Sequence, residues 1–187
     1  MTGLSALGIA GLAGYAAVQA SRADEIDAPV PIALTGSGGR AVNRGDPAPD
    51  FAATALDGRE VRLTSFVGRA VWINVWASWC APCRAELPDI AATYLDVAAS
   101  SQGTPPLALM LVSVGEAADE VRRFVERTRL RVPVLVDPDF GIAQMYRVSG
   151  LPTHFFIGAD GSLRDFAIGG LKPRSMRSRV DRLLAGQ

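Results

Sequence analysis

The chain of 187 residues holds two cysteines, and both fall in Trp79-Cys80-Ala81-Pro82-Cys83. Two thiols separated by two residues can close a disulfide and open it again, a two-electron exchange with another disulfide. An almost continuous apolar run, Ala70 to Trp76, precedes the pair and a helical pattern follows it, so the cysteines stand where a buried strand ends and a helix begins. A helix N-terminus offers unpaired N–H groups and the positive end of the macrodipole, and both favour a thiolate. The thiolate is the attacking form, so a cysteine placed there is reactive well below the ordinary thiol pKa of ~8.5. Cys80 is therefore expected to be exposed and to attack. Cys83, about one turn deeper on the same side, can resolve a mixed disulfide by attacking Cys80. Pro82 suits the first helical turn, where its missing N–H costs nothing.

Two other chemistries compete for the same residues. The cysteines could be inert core side chains, or half of a structural zinc site. Zinc needs four ligands, and beyond carboxylates the chain offers only these two cysteines and one histidine, His154. That single histidine also excludes any centre built from several imidazoles. With 19 Lys+Arg against 19 Asp+Glu the net charge is zero, which gives no electrostatic footprint for nucleic acid or an acidic membrane surface. Of those 19 basic residues only Lys172 is lysine; the arginines are scattered and form no patch in the sequence.

The elements that must position the pair read as a compact α/β domain. Asp50 to Leu63 forms a hairpin turning at Asp57-Gly58. Leu87, Ile90, Tyr94 and Val97 recur at helical spacing, giving an amphipathic helix from about Cys80 to Ala98. A buried strand Leu107–Val114, a helix marked by Val121, Phe124 and Thr128, a strand Val132–Val136 and a short helix Phe140–Tyr146 follow. Thr153–Ile157 and Ser162–Ala167 pair around Asp160-Gly161, and a helix Pro173–Leu184 closes the chain. Alternating strands and helices imply a mainly parallel sheet covered on both faces. Trp72 and Trp76, four residues apart in a strand, are expected in the core.

The domain begins near residue 46. Before it, Thr2 to Ser21 carries no charge and is rich in Ala, Leu and Gly, long enough to cross ~30 Å of hydrocarbon as a helix. Residues 1–23 read either as a signal peptide, cut after Ala20 or Ala23, or as a retained membrane anchor. Residues 24–45, acidic at first and then rich in Pro and Gly (Pro29, Pro31, Gly36-Ser37-Gly38-Gly39), read as a flexible linker. Residues 46–187 are then the catalytic domain.

Three stretches carry a family resemblance: Gly45-Asp46-Pro47-Ala48-Pro49-Asp50-Phe51, Asn74 to Pro88 around the cysteines, and Gly150-Leu151-Pro152-Thr153. In this order and over residues 45–187 the chain resembles the thioredoxin superfamily, most closely its TlpA/ResA-like extracytoplasmic branch of redoxin (AhpC/TSA-like) domains. The resemblance implies a thioredoxin-like fold, a central mixed sheet flanked by helices, with an N-terminal β-hairpin and a central insertion within residues 101–135. It implies that Pro152 is the cis-proline beside the cysteines and that Leu151 and Thr153 flank a substrate-docking backbone. Trp79, Ala81 and Pro82 would then shape the partner surface. Glu86, three residues past Cys83, matches the branch's functional acid and could move the proton when Cys83 is activated; as a plain sequence feature it could equally be a solvated helix glutamate. Cytoplasmic thioredoxins bury an Asp six residues before the first cysteine, where this chain has Asn74, a departure that fits the same branch. Pro88, inside the helix, is structural.

These readings converge on a monomeric, extracytoplasmic thiol–disulfide oxidoreductase that reduces disulfides of partner proteins, of the cytochrome c maturation or copper-site assembly type. It would be recharged by a membrane thiol electron donor, since the sequence has no flavin or nicotinamide motif, and no cofactor is expected. Alternatives are a thiol oxidase or isomerase, because direction depends on reduction potential, and a Cu(I) carrier using Cys80, Cys83 and His154 as soft ligands. A peroxiredoxin-type peroxidase would need a cysteine ahead of Cys80, and there is none.

Overall fold

The computed structural model describes residues 26–33, 42–101, 103–104 and 106–186. The expected signal or anchor and the Gly36–Gly39 part of the linker lie outside the described residues.

Strand β5 (Ala70–Trp76) is buried at every position, and so is β6 (Leu107–Val114) beside it, as continuous apolar runs require when both faces of a sheet are covered. Around them stand β3 (Ala52–Ala55), β4 (Glu60–Arg62), β7 (Val134–Asp137), β9 (Thr153–Ile157) and β10 (Leu163–Ile168). The seven run in the order β10-β9-β5-β6-β7-β3-β4. Four helices accompany them: α1 (Ala81–Ala99), α2 (Ala118–Thr128), the short α3 (Gly141–Met145) and α4 (Pro173–Leu184).

The sheet is mixed and not mainly parallel, which corrects the reading from alternation. Only β5–β6 and β6–β7, joined through α1 and α2, are parallel; the other pairings are antiparallel. A parallel neighbour needs a helical crossover, whereas an antiparallel one needs only a tight turn. The chain supplies those turns at Asp57-Gly58, with Gly58 at φ 87°, and at Asp160-Gly161. The region expected to hold an insertion is the β6-α2-β7 unit, built into the sheet itself.

Trp72 and Trp76 are in the core, as are Phe156, Ile90 and Leu111. Helix α1 packs on α4, and both rest against the central strands. Pro88 lies on the exposed side of α1, where its missing N–H leaves the Arg84 carbonyl without a helical donor.

Where it is described, the stretch read as a linker contributes two short strands. β1 (Ile26–Asp27) pairs antiparallel with β11 (Gly170–Leu171), and β2 (Val30–Pro31) pairs antiparallel with β8 (Gly150–Leu151). The scattered arginines also converge in one place: Arg44, Arg179 and Arg182 all reach Asp165, Arg44 Nε at 3.0 Å and Arg182 at 4.0 Å. Among the described residues no helix is long and apolar enough to cross a membrane.

Candidate active site

Strand β5 ends at Trp76 and the chain turns through Ala77-Ser78-Trp79 into α1. Cys80 is the N-cap of that helix: its own N–H bonds the Ala77 carbonyl at 3.1 Å, and its sulfur accepts the Cys83 N–H at 3.3 Å. A helix N-terminal amide is thus aimed at the sulfur that would carry negative charge in the reduced state. Cys80 and Cys83 are joined as a disulfide, with Cα atoms 5.3 Å apart. Cys83 is completely buried and Cys80 is only 1% exposed, so the expected exposure of Cys80 does not hold in the disulfide form. The exposed parts of the motif are its neighbours: Trp79 is 48% exposed, Ala81 is exposed and Pro82 is half-buried.

Beneath Cys83, one helical turn on, lies Glu86, only 4% exposed and not a solvated helix residue. Asn74 Nδ2 donates to its Oε1 at 3.0 Å, and the Leu171 backbone N–H donates to its Oε2 at 2.8 Å. His154 is fully buried against the same carboxylate, Nε2 lying 3.3 Å from Oε2. The other ring nitrogen, Nδ1, accepts from the Trp72 indole N–H at 3.3 Å. An indole nitrogen only donates, so the proton of the neutral imidazole sits on Nε2, the side of Glu86. That contact is not aligned as a hydrogen bond, and Asn74 Oδ1 is likewise buried without a partner. The position that holds Asp in cytoplasmic thioredoxins here holds the amide that steadies Glu86.

A second buried carboxylate, Glu116, was not singled out in the sequence. It is 6% exposed, follows the C-terminal end of β6, and accepts from the Ser78 N–H at 2.7 Å, from Ser113 Oγ at 2.7 Å and from Ser78 Oγ. Arg84 holds the same loop from the helix side, donating to the Ser78 carbonyl at 3.0 Å. No local pattern marks it: only the parallel register, which sets Ser113 beside Trp76, brings a charged residue just past Val114 level with the loop that leads to Cys80.

Pro152 is buried and its peptide bond with Leu151 is cis. Thr153 pairs with Val75, which places Pro152 and Leu151 beside the end of β5, where the cysteine loop leaves. Thr153 Oγ1 donates to the Gly150 carbonyl at 2.6 Å. Leu151 is fully buried and paired with Val30, so its backbone is not an open edge. The Cu(I) set is not assembled: His154 faces Glu86 and Trp72, and among the described residues no three His, Cys, Asp or Glu side chains form a group that could hold a metal ion.

Residues 44–166 match the AhpC/TSA family. The chain is 35% identical over 141 residues to the thiol-disulfide oxidoreductase ResA of Geobacillus thermodenitrificans, spanning 75% of this chain and 78% of that protein. Among solved structures it is similar to a thiol:disulfide interchange protein of the thioredoxin family from Chlorobium tepidum, with TM-score 0.64 and 25% identity, over 79% of this chain and 99% of that one. It is also similar to the exposed lipoprotein thioredoxin Etrx1 of Streptococcus pneumoniae, with TM-score 0.64 and 26% identity, over 72% of this chain and all of that one.

Proposed function

The chain belongs to the AhpC/TSA family and is a thiol–disulfide oxidoreductase of thioredoxin-like fold, and from that premise we propose that it works outside the cytoplasm as a reductant of protein disulfides. The observation that carries the reading is the Cys80 sulfur at the N-cap of α1, receiving the Cys83 N–H. In the reduced enzyme the Cys80 thiolate attacks one sulfur of a substrate disulfide, forming a mixed disulfide and releasing the first substrate thiolate. Cys83 loses its proton and attacks the Cys80 sulfur, which closes Cys80–Cys83 and releases the second substrate thiolate. Two electrons pass to the substrate. Glu86, one turn beneath Cys83, takes and returns the proton. Trp79, Ala81 and Pro82 meet the partner, and the backbone at Leu151–Thr153, around Pro152, aligns it.

A membrane thiol protein would recharge the dithiol. Residues 1–23 would export or anchor the chain ahead of a monomeric catalytic domain, as the description of Etrx1 as an exposed lipoprotein supports. Cytochrome c maturation or copper-site assembly is the substrate setting we favour. Replacing Cys80→Ser should abolish reduction of insulin disulfides, and retained turnover would refute the assignment. The reduction potential of the pair decides direction: well below about −200 mV supports a reductase, whereas near about −120 mV would make it an oxidase.

A further inference from the structure

The edge that would align a substrate already carries a segment of this chain. The Ile32 N–H donates to the Ser149 carbonyl at 3.2 Å, and the same antiparallel register pairs Pro31 with Gly150 and Val30 with Leu151. Hydrogen-bonded pairs alternate along an antiparallel ladder, so Val30–Leu151 is the next one after Ile32–Ser149. Leu151 stands beside Ala77, the residue whose carbonyl holds the Cys80 N–H. Residues 29–32 therefore lie along the approach to the cysteine pair. The fit is close, since a Cβ on Gly150 would come within 3.0 Å of Pro29 Cβ and 3.2 Å of the Val30 carbonyl oxygen.

We propose that the Ser149–Leu151 edge is an interaction surface for one extended segment of a substrate chain, and that residues 29–32 hold it in the resting protein as an internal occupant that the substrate must displace. This rests on the reading of Leu151–Pro152 as the docking element. The occupant shows what the surface fits. Val30 and Ile32 turn inward and pack against the core, while Ala28, Pro29 and Pro31 are exposed. A partner is thus an unfolded or extended polypeptide near its disulfide, with aliphatic residues two apart, because only such a chain can offer free backbone groups to a strand edge. A folded domain with its disulfide in a buried core does not fit. The occupant is exchangeable: it is held by a two-residue ladder and two half-buried side chains, and so short a pairing has little stability of its own. Its presence lowers apparent substrate affinity by the fraction of molecules in which the edge is free.

The test uses the full chain with insulin as the protein disulfide. Val30→Pro removes the N–H that meets Leu151, and Ile32→Asp places a charge on the inward face. Each should lower KM for insulin about three- to thirtyfold, the effect of one or two net backbone hydrogen bonds, with the Cys80–Cys83 reduction potential unchanged. Hydrogen exchange supplies the second readout. In Cys83→Ser protein, Cys80 displaces thiopyridone from a thiopyridyl-activated peptide with valines flanking its cysteine, leaving a stable mixed disulfide. Residues 26–32 should then lose protection while Leu151 keeps its own. Unchanged KM in both variants, or protected residues 26–32 in the mixed disulfide, would overturn the occupant while wild-type insulin reduction leaves the enzymatic reading standing. Wild-type protein unable to exchange with either probe would overturn both.

Discussion

Two carboxylates flank the cysteine pair, Glu116 before it and Glu86 beyond it, and they are buried to nearly the same degree. Their surroundings differ. Glu116 receives a backbone N–H and two serine hydroxyls and so fastens the Ser78 loop to the end of β6. Glu86 receives an amide and a backbone N–H, and beside it stands a histidine whose proton is directed toward it but not committed to a straight bond. Burial alone therefore does not assign a role. We read Glu116, met by three donors, as holding a shape, and Glu86, met by two and left beside a buried imidazole, as the carboxylate free to take the Cys83 proton.

The sharpest way to break this comparison is Glu116→Ala. It leaves one buried and two half-buried donors unmet and should cost about 2–4 kcal/mol in thermal or urea unfolding, while the shape of the activity–pH profile stays as in the wild type. A stable variant with a displaced profile would reverse the two roles. Glu86→Gln keeps the size, and its amide can accept the Leu171 N–H while donating to Asn74 Oδ1 once the Asn74 amide turns over, so the loss should be mainly kinetic: insulin reduction at pH 7 slower by about ten- to a hundredfold, narrowing as pH rises and Cys83 ionises without help. An identical deficit at every pH would remove the proton role. His154→Phe strands the Trp72 indole N–H at about 1–2 kcal/mol, less than Glu116→Ala, and should also shift the pH midpoint of activity. No shift would make the histidine a packing residue.

Tyr146 shows what burial does without a catalytic role. Its hydroxyl donates to the Pro49 carbonyl at 2.7 Å, and burial, helped by nearby Asp50, pushes the phenol above its ordinary range. Folded protein thus holds this proton more tightly than unfolded protein. Its contribution to stability is complete below pH ~10 and is lost as pH climbs beyond that. Absorbance at 295 nm should show Tyr146 ionising only as the chain unfolds, with no effect on activity near pH 7.

Local patterning made much of this molecule legible. The seven-residue apolar run of β5, the hairpins at Asp57-Gly58 and Asp160-Gly161 and the helix Pro173–Leu184 appear where periodicity put them. The cysteines needed only their spacing and a strand-to-helix junction. What stayed hidden depends on pairings between distant segments. Val30 meets Leu151 only after folding, and two prolines disguise the alternation that would have marked residues 29–32 as a strand. Glu116 reaches Ser78 through the register of β5 on β6, and the burial of Cys80 is a property of everything packed around it. Nor could the sequence tell that Glu86 and Trp72 would claim the imidazole of His154, read there as a candidate partner of the cysteines.

The placement of Pro29 and Pro31 has a consequence for crowded copies of this protein. The inward edge of β2 uses the N–H groups of Val30 and Ile32, so the outer edge would present those of residues 29 and 31, and proline has none to present. A neighbouring molecule therefore finds no pair of donors on which to add a strand. The segment can complete its own sheet without seeding growth into the next molecule.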